Sequence, residues 1–133
     1  MNDDPLIPEA LRVRENAWAP YSGFQVGAAL RCEDGRIFSG CNVENAAYPE
    51  GTCAEAGAIA AMIASGGRRI TGIVVCGDSA TPCTPCGGCR QKLREFSGPD
   101  LIIRMVSARS GEVVLTRTLA GLLPDSFGPD SLE

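Results

Sequence analysis

Apolar and polar positions recur with distinct periods along the chain, and those periods predict its elements. Residues 5–19 carry apolar side chains at helical intervals (Leu6, Ile7, Ala10, Leu11, Val13, Ala17, Trp18) and then meet Pro20, the pattern of one amphipathic helix. Residues 25–30 and 36–43 read as two strands on either side of Glu33-Asp34-Gly35, a hairpin turn signal. From Thr52 to Ser65 the chain is rich in Ala, free of Pro and stopped by Gly66-Gly67, which predicts a second helix. Ile70 to Cys76 is a continuous apolar run, the mark of a strand buried on both faces. Thr84-Pro85 opens a third helix reaching Phe96, with Pro85 in the favoured first helical position. Residues 101–107 and 112–116 give two more strands around Arg109-Ser110-Gly111, and a short helix at 119–123 precedes a tail rich in Pro and Gly.

The order α-β-β-α-β-α-β-β-α predicts a layered α/β domain with a mixed sheet, because the helices between the later strands act as crossovers that cover its faces. The 133 residues have room for one core, and neither an internal repeat nor a linker divides them, so a single domain over 1–133 is expected.

Composition and charge then remove whole classes of function. Apolar residues make up 44% of the chain, enough for it to fold. The net charge is −4, and Arg12, Arg14, Arg31, Arg36, Arg68 and Arg69 are scattered among acids. No basic stripe forms, so neither nucleic acid nor an anionic membrane surface is expected as a partner. Met1-Asn2-Asp3-Asp4-Pro5 is acidic and has no apolar segment of the signal-peptide kind, and runs such as Gly72–Cys76 are far too short to span a bilayer. The expected location is cytoplasmic.

Seven cysteines (Cys32, Cys41, Cys53, Cys76, Cys83, Cys86, Cys89) are an odd number, which cannot close into a complete set of disulfides. Cys32, Cys41 and Cys76 lie in apolar, strand-like contexts and suit packing. Cys83, Cys86 and Cys89 recur every third residue in a stretch rich in Pro and Gly, which suggests a metal. The chain has no histidine, so Ser-His-Asp triads, Cys-His dyads and helix-borne His zinc motifs are excluded. A transition-metal site here must be built from thiolates and carboxylates.

Two clusters, Thr52-Cys53-Ala54-Glu55 and Pro85-Cys86-Gly87-Gly88-Cys89, each stand at the start of a predicted helix. Cys86 and Cys89 share a helix face, and the positive end of a helix dipole favours the thiolate at all three positions. If the two helix starts face each other, Cys53, Cys86 and Cys89 can hold one zinc and leave its fourth position open, as in a catalytic rather than a structural site. Glu55 would then be the nearby carboxylate that moves protons without binding metal.

Other readings compete. Thr52-x-x-Glu55 also satisfies a capping box, Cys53 could be a packing residue, and an iron–sulfur cluster would want four thiolates. Cys83/Cys86 and Cys86/Cys89 are both C-x-x-C pairs; Pro85 as the helix start favours the second and leaves Cys83 in the loop with a structural role.

Beyond these clusters the chain resembles the small, homo-oligomeric cytidine deaminases. Cys53-Ala54-Glu55 and Pro85-Cys86-Gly87-Gly88-Cys89-Arg90-Gln91 match the deaminase pattern of a ligand, x, Glu, and then P-C-x-x-C. Residues 20–29 (PYSGFQVGAA) are similar to the family's N-terminal signature, 40–49 (GCNVENAAYP) to its nucleoside-binding strand and loop, and 122–129 (LLPDSFGP) to its C-terminal motif.

This resemblance implies a three-layer α/β/α fold with a five-stranded mixed sheet. It also implies one Zn2+ per subunit on Cys53, Cys86 and Cys89, with Glu55 as the proton shuttle. Asn42 and Glu44 would hold the ribose hydroxyls, the backbone amide of Ala54 would bind the base, and Phe24 would line the pocket. Tyr48 and Phe127 would come from neighbouring subunits of a homotetramer with shared sites. The implied reaction converts free cytidine and deoxycytidine to uridine and deoxyuridine with release of ammonia, a step of pyrimidine salvage.

One position departs from the family, which usually carries Arg directly after the catalytic Glu where this chain has Ala56. Three thiolates on a divalent ion leave a net charge of −1, so a compensating donor such as Arg90 is expected near Cys53 or Cys86.

Overall fold

The computed structural model describes residues 4–132; the acidic start Met1–Asp3 and the terminal Glu133 lie outside the described residues. The elements run α1 (Leu6–Arg14), β1 (Val26–Cys32), β2 (Ile37–Cys41), α2 (Ala54–Ala64), β3 (Ile70–Gly77), α3 (Gly87–Glu95), β4 (Ile102–Ser107), β5 (Val113–Thr118) and α4 (Leu119–Leu122). The strands form one sheet in the order β2-β1-β3-β4-β5. β1 is antiparallel to β2 and β3, β3 is parallel to β4, and β4 is antiparallel to β5, so the sheet is mixed, as expected.

Side-chain alternation along the central strands explains the layering. Leu30, Ile73, Val75, Ile103 and Met105 pack on one face with Ala58, Ile59 and Met62 of α2 and Leu93 of α3. Ala29, Val74, Cys76 and Val106 point the other way, onto Leu6, Ile7 and Ala10 of α1. β3 is therefore buried on both faces, which is why its sequence is continuously apolar rather than alternating. The hairpin turn also stands where expected, with Gly35 at φ 89° between β1 and β2.

The path of the chain positions the functional site. β2 leads through α2 to β3, and β3 leads through α3 to β4. Strands β2, β3 and β4 run in one direction, so these two crossovers start from the same edge of the sheet and lie on the same face. Both helix N-termini therefore stand side by side at the carboxyl ends of parallel strands, where open α/β sheets collect ligands.

Helix boundaries differ from the sequence reading, the second helix opening at Ala54 rather than Thr52. The first helix stops at Arg14 instead of continuing to residue 19. The Trp18 amide donates to the Asn42 carbonyl at 3.0 Å, and Glu44 donates back to the Trp18 carbonyl at 2.8 Å. Those strand-type bonds take Ala17-Trp18 out of the helical period they share in sequence. The third helix begins at Gly87, not at Pro85: Cys86 caps it in extended conformation, and Pro85 is buried ahead of the cap. No described helix is long and apolar enough to cross a membrane.

α2 lies directly against β2 at Gly40. A Cβ there would stand 2.5 Å from the Ala58 nitrogen, 2.6 Å from the Ala54 oxygen and 2.8 Å from the Gly57 carbonyl carbon. All three are backbone atoms, so no side chain can give way, and the helix itself would have to shift. Gly40→Ala should cost at least about 1–3 kcal/mol in denaturant unfolding. Because Ala54 opens the helix that carries Glu55, activity should fall along with stability.

Candidate active site

Cys53 and Cys86 occupy equivalent places as the N-cap residues of α2 and α3. Each is extended, with φ/ψ of −83°/159° and −67°/167°, and each lends its carbonyl to the first helical turn: Gly57 donates to Cys53 at 3.3 Å and Arg90 to Cys86 at 2.9 Å. Neither cap is made by a side chain, which leaves both sulfurs free to point across the gap between the helix tips. Cys89, one turn into α3, completes the group.

The three sulfurs lie within 4.8 Å of one another, and Cys53 Sγ is 3.7 Å from Cys86 Sγ. Thiolates about 2.3 Å from a tetrahedral zinc stand about 3.8 Å apart, so the donor set fits zinc both in spacing and in chemistry. Cys83 lies outside this group, which supplies three sulfurs rather than the four an iron–sulfur cluster takes.

The thiols do not all respond as the helix-dipole argument expects. Burial raises Cys53 and Cys89 above the ordinary thiol value, and Glu55 pushes both in the same direction. Burial also opposes ionisation of Cys86, but the Cys89 backbone N–H and the neighbouring thiols outweigh it and lower that group. A divalent ion would have to displace the remaining protons as it binds. Arg90 Nε donates to the Pro85 carbonyl and its Nη1 to the Leu122 carbonyl, both at 2.8 Å, fastening the loop before Cys86 to α4.

Glu55 does not form the capping box. Its would-be partner Thr52 is paired instead with Val43 through two backbone bonds of 2.9 and 3.0 Å, and α2 starts one residue later than a box requires. The carboxyl is only 3% exposed. Burial raises its pKa, against the smaller opposing effects of its own amide, Cys89 and Lys92, so the site favours the protonated acid.

A cleft of about 230 Å³ opens beside these groups, lined by Phe24, Asn42, Ala54, Glu55, Cys83 and Thr84 together with Cys53 and Cys86. Ala54 is the first residue of α2, so its N–H lacks an intrahelical acceptor and is free for a ligand. Asn42 holds the rim: its Nδ2 donates to the Phe24 carbonyl and its Oδ1 accepts from the Val26 amide, both at 2.8 Å.

Glu44 takes a different position. Its carboxylate accepts from the amides of Tyr21 and Ser22 at 2.9 and 3.1 Å and from the Ser22 hydroxyl, and it lines an adjoining-loop cleft with Tyr21 and Tyr48. Tyr48 is 77% exposed and meets Tyr21 edge-to-face, while Phe127 is 58% exposed and not among the residues lining the Glu55 cleft. Within one chain, then, Phe24, Asn42, Ala54 and Glu55 line one cleft with Cys53 and Cys86, Glu44 and Tyr48 line the adjoining one, and Phe127 lines neither.

Two features of the cleft escape sequence reasoning. Cys83 is not merely a loop residue, because its thiol forms part of the cleft wall, where burial lifts its pKa to about 11. Thr84 stands beside it. Their position directly before Pro85 was the only local signal, and it does not tell which way either side chain faces.

The chain matches the family profile "Cytidine and deoxycytidylate deaminase zinc-binding region" over residues 1–105. It is 40% identical over 133 residues to a cytidine deaminase of Sporosarcina psychrophila, an alignment covering all of this chain and 96% of that one. It is also 40% identical over 127 residues to a cytidine deaminase of Mycobacterium tuberculosis, covering 96% and 90% of the two chains. Its fold superposes on the crystal structure of cytidine deaminase from Burkholderia pseudomallei with a TM-score of 0.87 and 43% identity, covering 96% of this chain and all of that one. Three cysteines gathered at two helix tips, a buried glutamate beside them and likeness along nearly the whole length converge, and the chain belongs to the cytidine deaminase family.

Proposed function

We propose that residues 1–133 form one catalytic domain that hydrolyses the 4-amino group of free cytidine and deoxycytidine, giving uridine or deoxyuridine and ammonia. The observation that carries this reading is the grouping of Cys53, Cys86 and Cys89 within 4.8 Å beside the buried carboxyl of Glu55, on the wall of a cleft. Cys53, Cys86 and Cys89 would hold the zinc. Bound there, zinc supplies the Lewis acidity that makes water nucleophilic near neutral pH.

The chain's own residues do the rest. Phe24 packs against the nucleoside, the Ala54 N–H binds the base, and Asn42 and Glu44 hold the ribose hydroxyls. Asn42 and Glu44 already brace the loop at 21–26, so engaging a sugar also engages the segment that presents Phe24. Protonated Glu55 gives its proton to N3 of the base as a water oxygen adds to C4. The carboxylate takes a proton released by that water and passes it to the 4-amino nitrogen. As the C4–N bond breaks, Glu55 recovers the remaining hydroxyl proton, so it ends as it began and ammonia departs.

The same reading makes the enzyme a cytoplasmic homotetramer acting in pyrimidine salvage, with Tyr48 and Phe127 completing the sites of neighbouring subunits. The exposure of both rings and their separation from the Glu55 cleft within one chain support it. Its location suits seven free thiols that need reducing conditions. Ultraviolet absorbance should show cytidine consumed by purified protein carrying one zinc per chain. In sedimentation at assay concentration the activity should travel with the oligomer; a fully active monomer would refute the sharing of sites, and zinc-loaded protein inert towards cytidine would refute the reaction.

A further inference from the structure

Three thiolates around a divalent ion carry a net negative charge, and ionised Glu55 would add to it. The dipoles of α2 and α3 offset only part of this, since each terminus amounts to about half a charge. The side-chain cations nearby are mostly committed elsewhere: Arg90 to two backbone carbonyls and Arg94 to the Ser126 hydroxyl at 3.1 Å. Lys92 is not, for among the described residues its ammonium has no hydrogen-bond or ion-pair partner.

The placement of Lys92 is telling. It follows Cys89 by three residues on α3, and helical side chains lean towards the N-terminus, here towards the turn that bears Cys86 and Cys89. Its Nζ lies over Gly88, 3.7 Å from where a Cβ would stand. A cation folded back over a helix N-terminus opposes the dipole and needs an anion there to be favourable. Lys92 also borders a groove between α2 and α3 with Ala56, whose small side chain leaves the space open.

We propose that Lys92 is the counter-charge of the three-thiolate centre, a positioning residue that strengthens metal binding without touching substrate. This rests on the reading that Cys53, Cys86 and Cys89 hold zinc.

Competition for zinc against a chromophoric chelator tests it, with wild type, Lys92→Met and Lys92→Arg compared at low and high salt. Lys92→Met should bind zinc about fivefold more weakly at low ionic strength, and the deficit should shrink at about 1 M salt, where screening is nearly complete. Lys92→Arg should keep wild-type affinity. A packing role would give a deficit that salt does not change and that Arg does not rescue, which would overturn the proposal. So would wild-type zinc affinity in Lys92→Met at low salt. A wild-type chain that takes up no zinc would instead bring down the three-cysteine reading itself, and the counter-charge with it.

Discussion

Glu55→Gln should keep its zinc and lose cytidine turnover by a factor on the order of 10²–10⁴ or more, the range for removal of a positioned general acid–base group. The substitution preserves shape and hydrogen-bonding atoms at a residue that is 3% exposed, so no cavity forms. It removes only the ability to take up and release a proton, and three separate transfers depend on that ability. Stability should hold or rise, because a neutral amide replaces an acid whose charged form burial already disfavours. Zinc content, thermal unfolding and loss of cytidine absorbance, measured on one preparation, separate the outcomes. A fully metallated variant still turning over within tenfold of wild type would end the role given to Glu55.

Cys86→Ala should lose both metal and activity. Loss of groups that merely orient a ligand typically lowers metal affinity 10–100-fold, so removing one of three ligands outright should exceed about 100-fold. Cys86 is an exposed N-cap with no side-chain cap bond, so the helix itself should survive the change. Cys83→Ala is the matched contrast: the thiol stands three residues earlier but outside the sulfur group, so zinc content should be unchanged. Chelation should inactivate wild type, and added zinc should restore wild type and Cys83→Ala but not Cys86→Ala. Zinc retained by Cys86→Ala but lost by Cys83→Ala would reverse the ligand assignment.

Much of this could be read from the chain alone because the signals are local. The apolar run at 70–76, the turn at Glu33-Asp34-Gly35 and the Ala-rich helix closed by Gly66-Gly67 each depend on neighbouring residues, and local sterics and periodicity suffice to predict them. The absence of histidine limited the metal chemistry to thiolates and carboxylates, and three cysteines at two helix starts named the candidates. Local signals also misled where a distant partner competed. Trp18 fits a helical period yet bonds to Asn42 and Glu44, and Thr52-x-x-Glu55 spells a capping box whose Thr52 is taken by Val43.

What only the tertiary structure decided is adjacency. Cys53 and Cys86 are 33 residues apart, and their sulfurs meet because two crossovers in the same direction bring two helix starts to one sheet edge. Glu55 became a buried acid and Cys83 a cleft wall outside the sulfur group through that same convergence. The contact of Gly40 with the backbone of α2 belongs here too. A residue type and its spacing determine what a side chain can do chemically; which groups share a few ångströms depends on the path of the whole chain between them.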